Sequence, residues 1–316
     1  MKKIGFGASS AKIIWFGEHS VVYGQPAIAL PLPAVEVTAQ IETSSESSSQ
    51  IFSRYYDGDW QQIPAEMNGI KRLSEYVANN LQLPSTTFRL SIDSAIPAER
   101  GMGSSAATAV AITRAFFDLA EKHLTRADLL KIADVSEQVT HGNPSGLDAA
   151  TASAQWPIWY VKNQENTQLP INLPKATMVI ADSGVKGKTS VAVNQVKEQL
   201  IMNPEAKDII AEMGSVAQQV PATLKANDVV SLGSLMNQNH ELLRQLHVST
   251  AQLDLMQAQA LKSGALGAKL TGSGLGGCLI AIAPNSRIAQ KVADDLLLVG
   301  ASATWIQPLN QFEKQD

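Results

Sequence analysis

The chain has a single cysteine, Cys278, in 316 residues. That excludes an internal disulfide framework and suits a reducing compartment, so a cytoplasmic protein is expected, with Cys278 a small buried residue. Charge of one sign is not in excess either: 25 Lys and Arg stand against 29 Asp and Glu, and a net charge of -4 offers nucleic acid no electrostatic footprint. No long apolar run is present, and Lys12 and Glu18 interrupt the apolar opening, so neither a signal-peptide core nor a membrane span is expected. The five histidines are scattered and His-Glu-x-x-His is absent, so Glu137 and His141, although spaced i, i+4, do not read as a zinc site. The ligand of such a chain should be small. Its length favours two domains.

Glycine is present where it carries information. In Pro97-Ala98-Glu99-Arg100-Gly101-Met102-Gly103-Ser104-Ser105-Ala106-Ala107, glycines strip a turn of side chains just before an apolar-faced helix expected from Ser104 to Lys122. A helix N-terminus has unpaired N–H groups and a partial positive charge, and glycine lets a phosphate approach them. Ser104 and Ser105 place hydroxyls beside that anion; alone, the segment also fits a tight turn with a serine cap. A second segment, Lys12 to Gly24, carries Lys12, Glu18 and His19 on an apolar strand running into a glycine-flanked turn. A charge inside an apolar strand is costly unless paired or used, which favours a functional Lys12 over a snorkelling one. His19 alone would read as structural, and its neighbours shift that balance. The third segment, Gly272-Ser273-Gly274-Leu275-Gly276-Gly277, precedes a strand, so it reads as a close-packed backbone wall or a tight turn and not as a second helix-dipole site.

Glu137, in the last turn of a helix expected over 126–140, and Asp148 flank the breaker His141-Gly142-Asn143-Pro144. These residue types suit a magnesium ion and a general base, although two solvated acids are the commoner outcome of such spacing. Gly101 to Ala106 fits the letters of a dinucleotide fingerprint, but Pro97 and others separate it from the strand before it and the acid at the second strand tip is missing. Gly187-Lys188-Thr189 imitates the end of a phosphate loop whose first glycine would have to replace Asp182.

Elsewhere, alternation predicts strands over 34–42 and around Phe88, Leu90 and Ile92, and Ser-rich 43–50 reads as a connector. Asp57-Gly58 reads as a hairpin turn. Helices are expected over 205–224, 229–246 and 287–298, strands over 176–181, 279–283 and 303–306, and a domain boundary near Pro170 to Pro174.

Together, Lys12 to Gly24, Pro97 to Ala107 and Lys269 to Cys278 resemble the three ordered motifs of the GHMP kinase superfamily, over essentially the whole chain. Gly17 to Gly24 and His141 to Asp148 are most similar to the mevalonate kinases, and Asp182 to Thr189 to their bacterial members. The resemblance implies an α+β, two-domain fold. Its N-terminal, ATP-binding domain (1–174) would be ribosomal protein S5 domain 2-like, its C-terminal domain (175–316) ferredoxin-like, with the active site between them. It implies ATP as co-substrate, Mg²⁺ as cofactor and mevalonate, phosphorylated at its C5 hydroxyl, as substrate; a homodimer would be unsurprising, and neither nucleic acid nor membrane is an implied partner.

The resemblance further implies Asp148 as catalytic base and Lys12 as the group that orients the hydroxyl and stabilises charge. Ser105 and Glu137 would hold Mg²⁺. The backbone of Arg100, Gly101, Met102, Gly103, Ser104 and Ser105 would cradle the phosphates. Gly272, Ser273 and Gly274 would close on the phosphate or substrate side, and Glu18, His19 and Thr189 would lie near mevalonate. Two departures stand out: Met102 puts a bulky residue near the phosphates, and Gly187 replaces a basic residue of eukaryotic members, with Lys186 and Lys188 beside it. Two other readings stay open, a kinase such as phosphomevalonate kinase, which should need a larger basic cluster, and an inactive metabolite sensor on the same fold.

Overall fold

The structure is a computed structural model describing residues 3–83, 87–97, 100–141, 146–187 and 189–312. The chain forms two compact units, one of Met1–Lys12, Pro31–Ala98 and Gly103–Ala154, the other of Ile13–Leu30, Glu99–Met102 and Gln155–Asp316.

Two long strands, β1 (Ile4–Phe16) and β2 (Ala27–Thr43), pair with each other and run through both units. In the first unit Val35, Val37, Ala39 and Ile41 of β2 are buried while Glu36 and Thr38 face water, as the alternation predicts. A hairpin of β3 (Gln50–Ser53) and β4 (Tyr56–Asp59) follows. β5 (Phe88–Ser94) lies parallel to β3 and antiparallel to β2, with Val37 opposite Ser94 and Thr43 opposite Phe88. The hairpin corrects one expectation. Asp57 and Gly58 are strand residues facing Phe52 and Ile51, and the chain turns at Arg54-Tyr55. The Ser53 hydroxyl explains the shift, because it accepts from the Tyr55 and Tyr56 N–H groups and donates to the Tyr56 carbonyl, closing the turn from its own side chain.

Four helices of this unit, α1 (Asn68–Asn80), α2 (Ser104–Ala120), α3 (Arg126–His141) and α4 (Leu147–Ala152), pack on one another. In α2, Ala106, Ala107, Ala109, Val110, Ala111 and Ile112 are all buried. The small side chains have a cause: a Cβ placed on Gly7 of β1 would lie 2.1 Å from the Ala111 carbonyl, so helix and strand backbones touch. The start of α2 is thereby fixed relative to Lys12, five residues further along the same strand.

In the second unit, β6 (Ile158–Tyr160) pairs with the first residues of β2 and with β7 (Thr167–Gln168). Then come β8 (Thr177–Asp182), α5 (Thr189–Met202), α6 (Glu205–Lys225), α7 (Val229–Gln245), α8 (Ala251–Lys262), β9 (Gly267–Thr271), β10 (Cys278–Ala283), α9 (Ser286–Leu298) and β11 (Ala303–Pro308). The four strands β8 to β11 form an antiparallel sheet in the order β11-β8-β10-β9, the ferredoxin-like arrangement expected of this half. Every residue of β8, β9 and β10 is buried, with α7, α8 and α9 packed on the sheet. Among the described residues, no helix is long and apolar enough to cross a membrane.

Candidate active site

In the first unit, the Lys12 ammonium lies 2.8 Å from an Asp148 carboxylate oxygen. Lys12 is 2% exposed and Asp148 32%, so the pair is anchored inside and open at the carboxylate end. Asp148 is there because Gly146, in the left-handed region at φ 78°, caps α4 and puts Asp148 in its first turn. Gly103 is required by its partner. It sits at φ 71°, and a Cβ there would lie 2.7 Å from two carbons of the Lys12 stem. As the N-cap of α2, Gly103 leaves the first turn without a side-chain cap, so its N–H groups remain available to an anion.

Glu137, buried in α3, takes a hydrogen bond from the Ser105 hydroxyl. Burial raises its pKa to about 8; the like charges of Asp148 and Asp134 add to this, while Lys12 and the Ser105 bond oppose it. Two carboxylates thus share one ammonium, and the cluster is short of positive charge. Such a donor set, a hydroxyl and one or two carboxylates, fits a divalent cation that takes its remaining ligands from phosphates and water. Among the described residues no group of three or more His, Cys, Asp or Glu stands where it could hold a metal ion.

In the second unit, β1 ends at Phe16 and the chain turns through Gly17, Glu18 and His19. His19 adopts φ 59°, an uncommon conformation for a non-glycine residue, and its Nε2 lies 2.9 Å from the Ser273 carbonyl. Burial lowers its pKa, with the Ser273 carbonyl opposing and the Lys269 charge adding. Ser273 also donates to the Thr189 hydroxyl at 3.3 Å, at the exposed start of α5. The first and third glycine segments meet as backbone walls: Cβ atoms on Gly101 and Gly272 would lie 3.2 Å from the Thr271 carbonyl and 2.9 Å from the Gly101 Cα. Arg100 ties the glycine segment before α2 to the end of β8 and the turn after it, its Nε 2.9 Å from Asp182 and its Nη2 3.1 Å from the Gly184 carbonyl.

Three side chains of these segments are buried. Glu18 has no exposed surface, and its carboxylate takes bonds from the Lys269 ammonium and the Asn239 amide, so it faces the interior. Burial pushes the Glu18 carboxyl up and the Lys269 ammonium down in pKa, and each charge opposes the other's shift. Met102 is 1% exposed, so its bulk lies in the interior. Lys269 was not singled out, although a lysine inside Ala268-Lys269-Leu270 carries the same signal as Lys12. Gly142, Asn143, Pro144, Ser145 and Lys188, with Ala98 and Glu99 before the first glycine segment, lie outside the described residues.

Next to Lys269, His240 is buried and accepts the Leu270 N–H on Nδ1 at 3.2 Å, which leaves the proton on Nε2, facing Asp254 at 3.2 Å. Burial lowers its pKa to about 4, against the Asp254 carboxylate, which raises it. Between pH 6.5 and 4 the unfolded chain binds a proton at this position that the folded chain does not, so stability falls as pH drops through that window. His240→Gln, which keeps a donor and an acceptor, is expected to lose about 2 kcal/mol less than the wild type between pH 7.5 and 5. Urea unfolding at both pH values checks this; equal losses contradict it.

The chain matches the family model for the GHMP kinases N terminal domain over residues 68–155 and that for the GHMP kinases C terminal over 221–301. It is 32% identical to the mevalonate kinase of Pyrococcus abyssi, over 96% of this chain and 95% of that one. Among solved structures it is similar to L. major mevalonate kinase in complex with R-mevalonate, with a TM-score of 0.83, 28% identity and 98% of each chain covered. It is also similar to mevalonate kinase from methicillin-resistant Staphylococcus aureus, at a TM-score of 0.77 and 29% identity, covering 98% of this chain and 100% of that one.

Proposed function

The chain belongs to the mevalonate kinases of the GHMP kinase family, and on that premise we propose a division of labour among its residues. It is an ATP-dependent kinase that phosphorylates the C5 hydroxyl of (R)-mevalonate to 5-phosphomevalonate, a step of isoprenoid precursor synthesis. The observation that carries the assignment of roles is the Lys12–Asp148 pair beside Glu137.

Asp148, the exposed end of that pair, accepts the proton of the attacking hydroxyl. Lys12, held by Asp148 and packed under Gly103, places its Nζ where the hydroxyl oxygen and the transferring phosphoryl group meet. The charge that grows on phosphoryl oxygens needs fixed positive partners more than covalent help. The uncapped start of α2, the backbone of Arg100 to Ser105 and the Ser104 hydroxyl supply them to the ATP phosphates. Ser105 and Glu137 would hold Mg²⁺, which when bound neutralises phosphate charge. His19, Thr189 and the Gly272 to Gly274 backbone are assigned to mevalonate, and Glu18 enters through the turn it holds. At the level of sequence, residues 1–174 are assigned to ATP and 175–316 to the C-terminal domain. One buried free cysteine supports the cytoplasm as compartment.

Losing even an outer partner of a bound metal costs about 10–100-fold in affinity. Glu137→Gln is therefore expected to raise the half-saturating Mg²⁺ concentration at least about tenfold, measured as ADP release against Mg²⁺ at saturating ATP and mevalonate. An unchanged Mg²⁺ dependence removes Glu137 from the metal.

A further inference from the structure

Lys269 and Thr271, alternate residues of β9, point the same way, and both, together with the Ser273 carbonyl in the turn that follows, reach the stretch from Ile14 to His19. Thr271 Oγ1 accepts the Ile14 N–H at 3.1 Å and donates to the Ile14 carbonyl at 2.7 Å. The Lys269 ammonium bonds the Glu18 carboxylate and, at 2.7 Å, the Leu270 carbonyl. The Ser273 carbonyl meets His19 Nε2 at 2.9 Å. The segments are more than 250 residues apart in sequence, yet the Lys269 and Thr271 side chains of β9 and the Ser273 carbonyl in the turn after it join them.

The charged rung of this ladder is the unexpected one. Lys269 and Glu18 are both 0% exposed, and a well-packed apolar pair usually does as well for stability as a buried ion pair. What such a pair adds is a defined geometry. Glu18 directly precedes His19, whose left-handed backbone must be held from one side or the other. The Lys269 and Asn239 bonds fix the carboxylate, and the Ser273 carbonyl fixes the imidazole.

We infer that Lys269 is a positioning residue for mevalonate: acting through Glu18, it sets the turn at 17–19 so that the His19 imidazole and the Ser273 backbone present one fixed surface to the substrate. The inference rests on the reading that His19 touches mevalonate. Lys269 itself touches no reacting atom. Its removal therefore weakens recognition of mevalonate and leaves the Lys12–Asp148 chemistry and the handling of ATP in place.

Lys269→Met alone strands a buried carboxylate and risks unfolding, so the decisive variant is Glu18→Gln combined with Lys269→Met, which removes both charges at similar volume. Misplacing a substrate-positioning group by about 1 Å can cost on the order of 10²-fold. The folded double variant is expected to show KM for mevalonate raised at least about tenfold, with kcat and KM for ATP within about threefold of wild type. Its His19 ring resonances, assigned by comparison with His19→Gln, are expected to move in NMR spectra without substrate. Unchanged KM for mevalonate together with unmoved His19 resonances in the folded double variant overturns the inference. If the wild type does not phosphorylate mevalonate, the functional reading fails, and the His19 resonances still decide whether Lys269 sets the turn.

Discussion

Asp148→Asn is expected to lower kcat by about 10²–10⁴-fold, the usual contribution of a positioned general base, while ATP affinity stays near that of the wild type. Asparagine keeps the shape and one acceptor but does not take up the hydroxyl proton. Asp148 lies in the first turn of α4, whereas the glycine segment and uncapped turn of α2 proposed to hold the phosphates are built from other residues, so nucleotide binding has no reason to change. The substitution also removes the like charge that helps raise Glu137. Wild-type kcat in Asp148→Asn would remove Asp148 as the base.

Lys12→Met should cost turnover on a similar scale, about 10²–10³-fold, because it deletes a preorganised positive charge where phosphoryl charge develops. Arginine is not expected to rescue it. The Lys12 stem runs within 2.7 Å of where a Gly103 Cβ would stand, and that tight passage suits a flexible chain with a compact ammonium better than a planar guanidinium. The double variant with Asp148→Asn separates two roles for the lysine. If Lys12 acts on the reaction together with Asp148, the double loses little more than either single, since residues working as a unit are not additive. Fully multiplicative losses contradict a shared step. The comparison is single-turnover rates at saturating ATP and mevalonate for both singles and the double.

Patterns local in sequence were legible, and features made across long separations were not. The alternation from Val35 to Ile41 and the long helices α2, α3, α6, α7 and α9 follow from periodicity, and their ends fall within a residue or two of expectation. The short strands β6 and β7 are too brief for a period to show, and α5 has few buried positions. Asp57-Gly58 carried a turn signal, but a serine hydroxyl closed the turn earlier. At the site, Lys12 could be found because a charge in an apolar strand needs a reason, and the same rule applied to Lys269 would have found it as well. The inward direction of Glu18 could not be read, because its partner lies 251 residues away. The burial of Met102 is equally a product of packing that no local pattern announces.

The most direct test of the account is a coupled ADP-release assay with ATP and Mg²⁺, offering mevalonate, phosphomevalonate, galactose and homoserine separately, with Asp148→Asn in parallel. Turnover with mevalonate alone, lost in Asp148→Asn, is the predicted result. Turnover with another of these alcohols but not with mevalonate, or ATP binding without turnover on any of them, would contradict it.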